Sequence, residues 1–195
     1  AISVDGSERI TLINNGTLTA TASAISFKDV LIATILNAAD AEVSGDVHGI
    51  LVEGGDSLSL DNRGTVTGGA AEFAIMASAS SVDITNTGTI GAGQAASPGL
   101  NLTADQVNLS NGTGASIGSS VISLNIGSST ASVSNAGTIS GLDMSGLLDT
   151  ETPQRLASVS ISNDADGVLS ESISLSNLLV ASIVNDGSIE SANGD

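Results

Sequence analysis

Apolar and polar residues alternate along this chain in short bursts, and each burst closes on an asparagine. Two positions before Asn14, Asn37, Asn62, Asn86, Asn111, Asn135, Asn163 and Asn185 stand Leu12, Ile35, Leu60, Ile84, Leu109, Val133, Ile161 and Ile183. Four positions before stand Ile10, Ala33, Leu58, Val82, Val107, Ala131, Val159 and Ala181. A period of two marks a strand with one buried face, so each asparagine ends a short strand. The asparagines follow one another at 23, 25, 24, 25, 24, 28 and 22 residues. Self-similarity at a fixed period near 24 is the mark of a repeat architecture, in which a unit too small to bury its own apolar side stacks on its neighbours.

The residues after each anchor predict a corner. Five repeats continue as "NNGTL", "NRGTV", "NTGTI", "NAGTI" and "NDGSI". The glycine is expected to take positive φ and turn the chain sharply, so that Leu18, Val66, Ile90, Ile139 and Ile189 point back inward. In "NAADAEV", "NGTGASI" and "NDADGVL" two more residues precede Val43, Ile117 and Leu169, which predicts a looser corner with the same inward aliphatic. A third apolar pair lies before the next anchor: Ile25 and Phe27, Ile50 and Val52, Phe73 and Ile75, Leu100 and Leu102, Ile122 and Leu124, Ile173 and Leu175. Each repeat thus has three inward-facing segments.

The fold class predicted is all-β: a parallel β-helix, or β-solenoid, of about eight coils of about 24 residues, right-handed by the crossover rule. Coils spaced by about 4.8 Å would enclose one continuous core. In register, the eight asparagines form a ladder along one corner, each amide bonding to backbone and to the asparagine above or below. The chain reads as one solenoid domain over 1–195. The long interval from Asn135 to Asn163 contains "GLDMSGLLDTETPQRLAS", which predicts a loop insertion at about 141–157 with Met144, Leu147, Leu148, Pro153 and Arg155 bulging from the rod. Loops on a rigid scaffold are where binding resides. Strand-like sequence at both ends predicts open coil edges, as in a piece of a longer helix or in a protomer that meets other copies.

Composition narrows the function classes. The chain carries 21 acidic and four basic residues, a formal charge of -17, with no Cys, Trp or Tyr and two Phe. That charge argues against nucleic acid and anionic membrane surfaces as partners, both of which need a positive footprint. Without Cys there are no disulfides or thiolate metal sites, and one histidine, His48, makes a zinc cluster untenable. No apolar run reaches the length of a spanning helix, so no direct membrane insertion is expected.

Candidate chemistry is sparse. Asp164 and Asp166, one residue apart before Gly167, match the opening of a calcium loop, and they are the metal candidate; Glu171 falls too early to close an EF-hand loop. Asp40, Glu42 and Asp46 form a second acidic group that reads as a solvated turn. No cofactor other than that calcium is called for. Polysaccharide-active β-helices need basic groups to neutralise a uronate and move a proton. Here Arg9, Lys28, Arg63, Arg155 and His48 are dispersed, and His48 reads as an exposed turn residue. The expectation is that the protein is not an enzyme. "TLT" at 17–19 and "TVT" at 65–67 suggest Thr ladders of an ice-binding face, but "TIG" at 89–91 and "TIS" at 138–140 break them.

The recurring "N-x-G-T-I" punctuation resembles the β-helical passenger regions of bacterial autotransporters and related secreted, haemagglutinin-like adhesins. The resemblance spans nearly the whole chain and concerns corners, not a ligand site. It implies a secreted protein at the bacterial cell surface, a rigid acidic rod in structural or adhesive service whose partner is a cell-surface or matrix component. The alternative is a protomer that stacks end to end on copies of itself into an extracellular filament or layer.

Overall fold

The computed structural model describes residues 1–91, 98–147 and 157–190. Among them the chain forms strands and turns with no helix, and the strands pair in parallel throughout. They build three faces of a β-solenoid with about seven turns. The second face is the clearest: Arg9–Asn14, Ile32–Asn37, Ser57–Asn62, Ser81–Asn86, Gln106–Asn111, Thr130–Asn135, Ser158–Asn163 and Val180–Asn185 stack in one eight-stranded sheet. Its register places Leu12, Ile35, Leu60, Ile84, Leu109, Val133, Ile161 and Ile183 in one column. The period-two pattern before each asparagine therefore gives the core register correctly in every coil.

The third face carries the inward aliphatic after each corner, Leu18, Val43, Val66, Ile90, Ile117, Ile139, Leu169 and Ile189, again one above another. The first face begins with Ile2–Asp5 and continues through Ile25–Lys28, Ile50–Glu53, Ile75–Ser78, Leu100–Ala104 and Ser120–Leu124. The first and third faces merge into one sheet because Thr138–Gly146 and Val168–Ser176 run straight through the corner between them. At that corner Gly141 has φ of 76° and Glu171 a φ of 71°, so one left-handed residue reverses the side-chain alternation and re-aims the strand.

Two expectations for the first face need correction. The third coil contributes Ile75 and Ala77, aligned with Ile50 and Val52, rather than Phe73 and Ile75; Phe73 lies in the preceding corner. In the fifth interval Ile122 and Leu124 face inward as expected; Ile122 stacks on Leu102, and Ser120 occupies the level of Leu100. Ser120 is buried, and its hydroxyl donates to the Gly118 carbonyl at 2.9 Å, which removes the cost of an unpaired polar group among aliphatics. The insertion also starts later than 141. Leu142 and Met144 are buried and pair with the levels of Ser120 and Ile122. Of the residues expected to bulge, Leu147 is exposed, and Leu148, Pro153 and Arg155 lie outside the described residues.

One continuous aliphatic core runs from Ala24 to Leu169, with Phe27 as its one fully buried aromatic ring. Its members are nearly all Ala, Val, Ile and Leu, which suits the narrow space between three sheets. Burying each large aliphatic contributes about 1.5–3 kcal/mol. That gain offsets the ordering of a chain that is largely strand and corner.

Candidate functional site

The most organised polar feature is the column of eight asparagines at the corner between the second and third faces. Seven consecutive bonds join them, each Nδ2 donating to the Oδ1 of the next coil: Asn14 to Asn37 at 2.9 Å, and onward through Asn62, Asn86, Asn111 and Asn135 at 2.8 Å to Asn163. Asn163 donates to Asn185 at 2.7 Å. Most amides also serve the backbone, both of their own corner and of the coil above. Asn86, for example, donates to the carbonyls of Gly88 and Ser116, both at 3.2 Å. All eight predicted members are thus brought together. From Asn37 to Asn163 they are essentially shielded from water. The ladder meets the polar demand of a buried turn, and it is directional because every rung donates the same way along the axis.

The corner glycines work differently from the expectation. Gly16, Gly64, Gly88, Gly137 and Gly187 are absent from the residues with positive φ. For all but Gly16, which has open space, the requirement is close approach: a Cβ on Gly88 would stand 2.1 Å from the Gly64 carbonyl oxygen, and one on Gly64 would stand 2.1 Å from that of Ala41. Two of the three looser corners do use a left-handed residue, Asp40 at φ 63° and Gly114 at φ 76°.

Asp164 and Asp166 sit exposed on the loose corner after Asn163. Asp164 Oδ1 accepts from the Ser162 hydroxyl at 3.3 Å, and its carbonyl accepts from Gly167 N–H at 2.8 Å. Among the described residues no group of three or more His, Cys, Asp or Glu side chains converges as a metal would need. Asp40, Glu42 and Asp46 are exposed. The first two border an open polar groove of about 500 Å³ with Arg63, Thr65 and Thr89. Arg63 in turn pairs with Asp61 at 2.6 Å, and both the hydrogen bond and the charge of Asp61 hold the guanidinium more firmly protonated.

His48 is buried, not an exposed turn residue. Its Nδ1 lies 2.9 Å from the Phe73 carbonyl in the next coil, and because a carbonyl only accepts, the imidazole carries its proton on Nδ1. The signal in "GDVHGI" is the pair Gly45 and Gly49 around Asp46–His48: a Cβ on Gly45 would stand 2.5 Å from the Ala22 carbonyl oxygen and one on Gly49 2.7 Å from that of Thr67, so this corner packs closely against its neighbours. Arg9, Lys28 and Arg63 fall on three different faces or corners in three successive coils, so the basic groups described are not gathered around one point.

No protein-family model, no curated protein and no solved structure matches this chain. The outward positions of the second face supply the remaining pattern. Its middle coils present Ser59, Asp83, Asn108, Ser132 and Ser160 in one column, whereas Ile13, Leu36, Val180 and Val184 place apolar side chains outward near its two ends.

Proposed function

We propose that the protein is a structural and adhesive β-solenoid: a stiff acidic rod held outside the bacterial cell, whose corners and loops contact a cell-surface or matrix component. The observation that carries this reading is the unbroken asparagine ladder beside an unbroken aliphatic core. Together they make every coil depend on its neighbours and give a column that resists bending. At about 4.8 Å per coil, the eight rungs amount to a rod of about 40 Å. The side walls are rich in Ser, Thr and carboxylates, a composition that favours solubility and exposes hydrogen-bonding groups without a catalytic set. No catalytic step belongs to this reading.

Coupling the purified chain to beads and measuring their retention on cells and on matrix-coated surfaces tests it. Retention above that of beads carrying an unfolded core variant is the expected result. Equal retention of the two would defeat the adhesive part, and small-angle scattering that gives a sphere rather than a rod would defeat the structural part.

A further inference from the structure

We propose that Asn111–Gly112 is a self-modification site that the folded ladder holds shut: once its coil opens, Asn111 converts irreversibly to aspartate or isoaspartate, and the altered chain cannot rebuild the ladder. Asn111 alone among the eight rungs is followed directly by glycine. Without a side chain, Gly112 leaves its backbone nitrogen unscreened and free to swing toward the preceding amide. In an open chain that nitrogen loses its proton to solvent base and attacks Asn111 Cγ. A C–N bond forms, Nδ2 takes a proton from water and departs as ammonia, and a five-membered imide closes. Water then adds at either imide carbonyl and breaks the C–N bond there. The product is aspartate on the ordinary backbone, or isoaspartate with the chain routed through the side-chain carbon.

In the folded chain both reacting groups are already committed. Gly112 N–H donates to the Asn86 carbonyl at 2.8 Å, so the nucleophile keeps its proton. Asn111 Nδ2, the leaving group, donates to Asn135 Oδ1 at 2.8 Å and to the Thr138 carbonyl at 3.1 Å, while Asn111 Oδ1 accepts from Asn86 at 2.8 Å. Asn111 is 1% exposed and paired on both sides, with Asn86 and Asn135, which excludes water and blocks the rotation that brings nitrogen to Cγ. The dipeptide alone does not decide the outcome. Asn15–Gly16 has the same sequence, but Asn15 is exposed past the end of its strand, at a corner position that is exposed also at Arg63 and Thr87 in covered coils. Conversion at 111 matters because its products do not fit the ladder. Aspartate there sets a carboxylate oxygen against Asn135 Oδ1 and the Thr138 carbonyl, acceptor against acceptor, and buries a charge. Isoaspartate adds a backbone carbon between a strand and a corner that are in register with the coils on both sides. Chemical alteration of the open form then makes unfolding one-way.

The site is independent of the adhesive reading. Peptide mapping by mass spectrometry tests it on the purified 195-residue chain, incubated at mildly alkaline pH either folded or in urea and sampled over time. Asn111 should convert at least about tenfold more slowly in the folded chain than in urea, because only the opened fraction reacts. Diluting the urea samples and separating refolded from non-refolded chains gives the second readout, in which converted Asn111 should be depleted from the refolded fraction. Gly112→Ala should slow conversion in urea and preserve refolding. It fits the fold, since Gly112 is not left-handed and its added Cβ would meet Thr87 Cγ2 at 3.3 Å and the Asn86 carbonyl oxygen at 3.4 Å. The two wild-type readouts decide the matter should that variant fold poorly. Asn111 converting as fast in the folded chain as in urea, refolded chains carrying converted Asn111 as often as the rest, or a Gly112→Ala chain converting in urea at the wild-type rate would each overturn the proposal.

Discussion

Asn86 Nδ2 donates to Asn111 Oδ1 at 2.8 Å, in the middle of a column where both residues are closed to water. The same amide receives the donor of Asn62 on its Oδ1 at 2.8 Å. Replacing Asn86 by Ala therefore strands an acceptor above and weakens a donor below, in a place no water reaches. The expected loss is about 1–3 kcal/mol for each stranded group, read from urea unfolding. Asn86→Asp should cost more, because it sets a carboxylate oxygen against the Asn111 oxygen and buries a charge. Asn185→Ala, on the exposed last rung, should cost far less. Equal losses at 86 and 185 would mean that the ladder does not hold the coils together.

Gly88→Ala should destabilise by about 1–3 kcal/mol or more, since the added carbon meets the backbone of the coil beneath and no side chain can give way. Gly16→Ala has open space and an ordinary φ. It should be neutral or gain about 0.4–1 kcal/mol for the isolated chain by restricting the unfolded state. Paired thermal melts at low concentration separate close approach from left-handed backbone as the reason for glycine, because the second reason would penalise both positions alike.

Much of this architecture was legible in the sequence because its signals are phased. Aliphatics two and four residues before each asparagine gave the second face at all eight levels, and the aliphatic after each corner gave the third. The first face was read less well for physical reasons. Ala77 fills a core position with only a methyl group, and Phe73, Ile75 and Ala77 share one alternation in "FAIMA", so the larger side chain at Phe73 marks the inward pair two residues too early. Between Asn135 and Asn163 a corner shortened to Gly141 offsets part of the added length, and a count of residues alone cannot place such an offset. The sequence assigns the corner glycines positive φ, which they do not have; at Gly64, Gly88, Gly137 and Gly187 the reason for glycine is the distance to the neighbouring coil, which no single repeat contains. For the candidate metal pair, spacing along the chain gave two carboxylates and could not say what faces them.

His48→Ala should destabilise the chain by about 1–3 kcal/mol, the cost of removing a donor from a buried carbonyl, in addition to the space left by the ring. His48→Asn should recover part of that loss, because its amide can reach toward the Phe73 carbonyl from nearly the place of Nδ1. Calorimetric or chemical unfolding of the two variants gives the comparison. If His48 were a solvated turn residue, both substitutions would be silent.

Met144 and Leu147 test where the first face ends and the insertion begins. Met144 is fully buried, level with Ile122 below and Leu175 above, whereas Leu147 is 45% exposed just beyond the strand. Met144→Ala removes core volume between two packed coils and should cost about 2–5 kcal/mol. Leu147→Ala should stay within about 0.5 kcal/mol, as a surface change does. Because both residues lie in the stretch whose length suggests a loop, a loop beginning at 141 would make the two substitutions equally mild. Unequal losses measured under the same denaturant conditions would instead place the end of the strand at Gly146 and confine the inserted residues to the corner that follows.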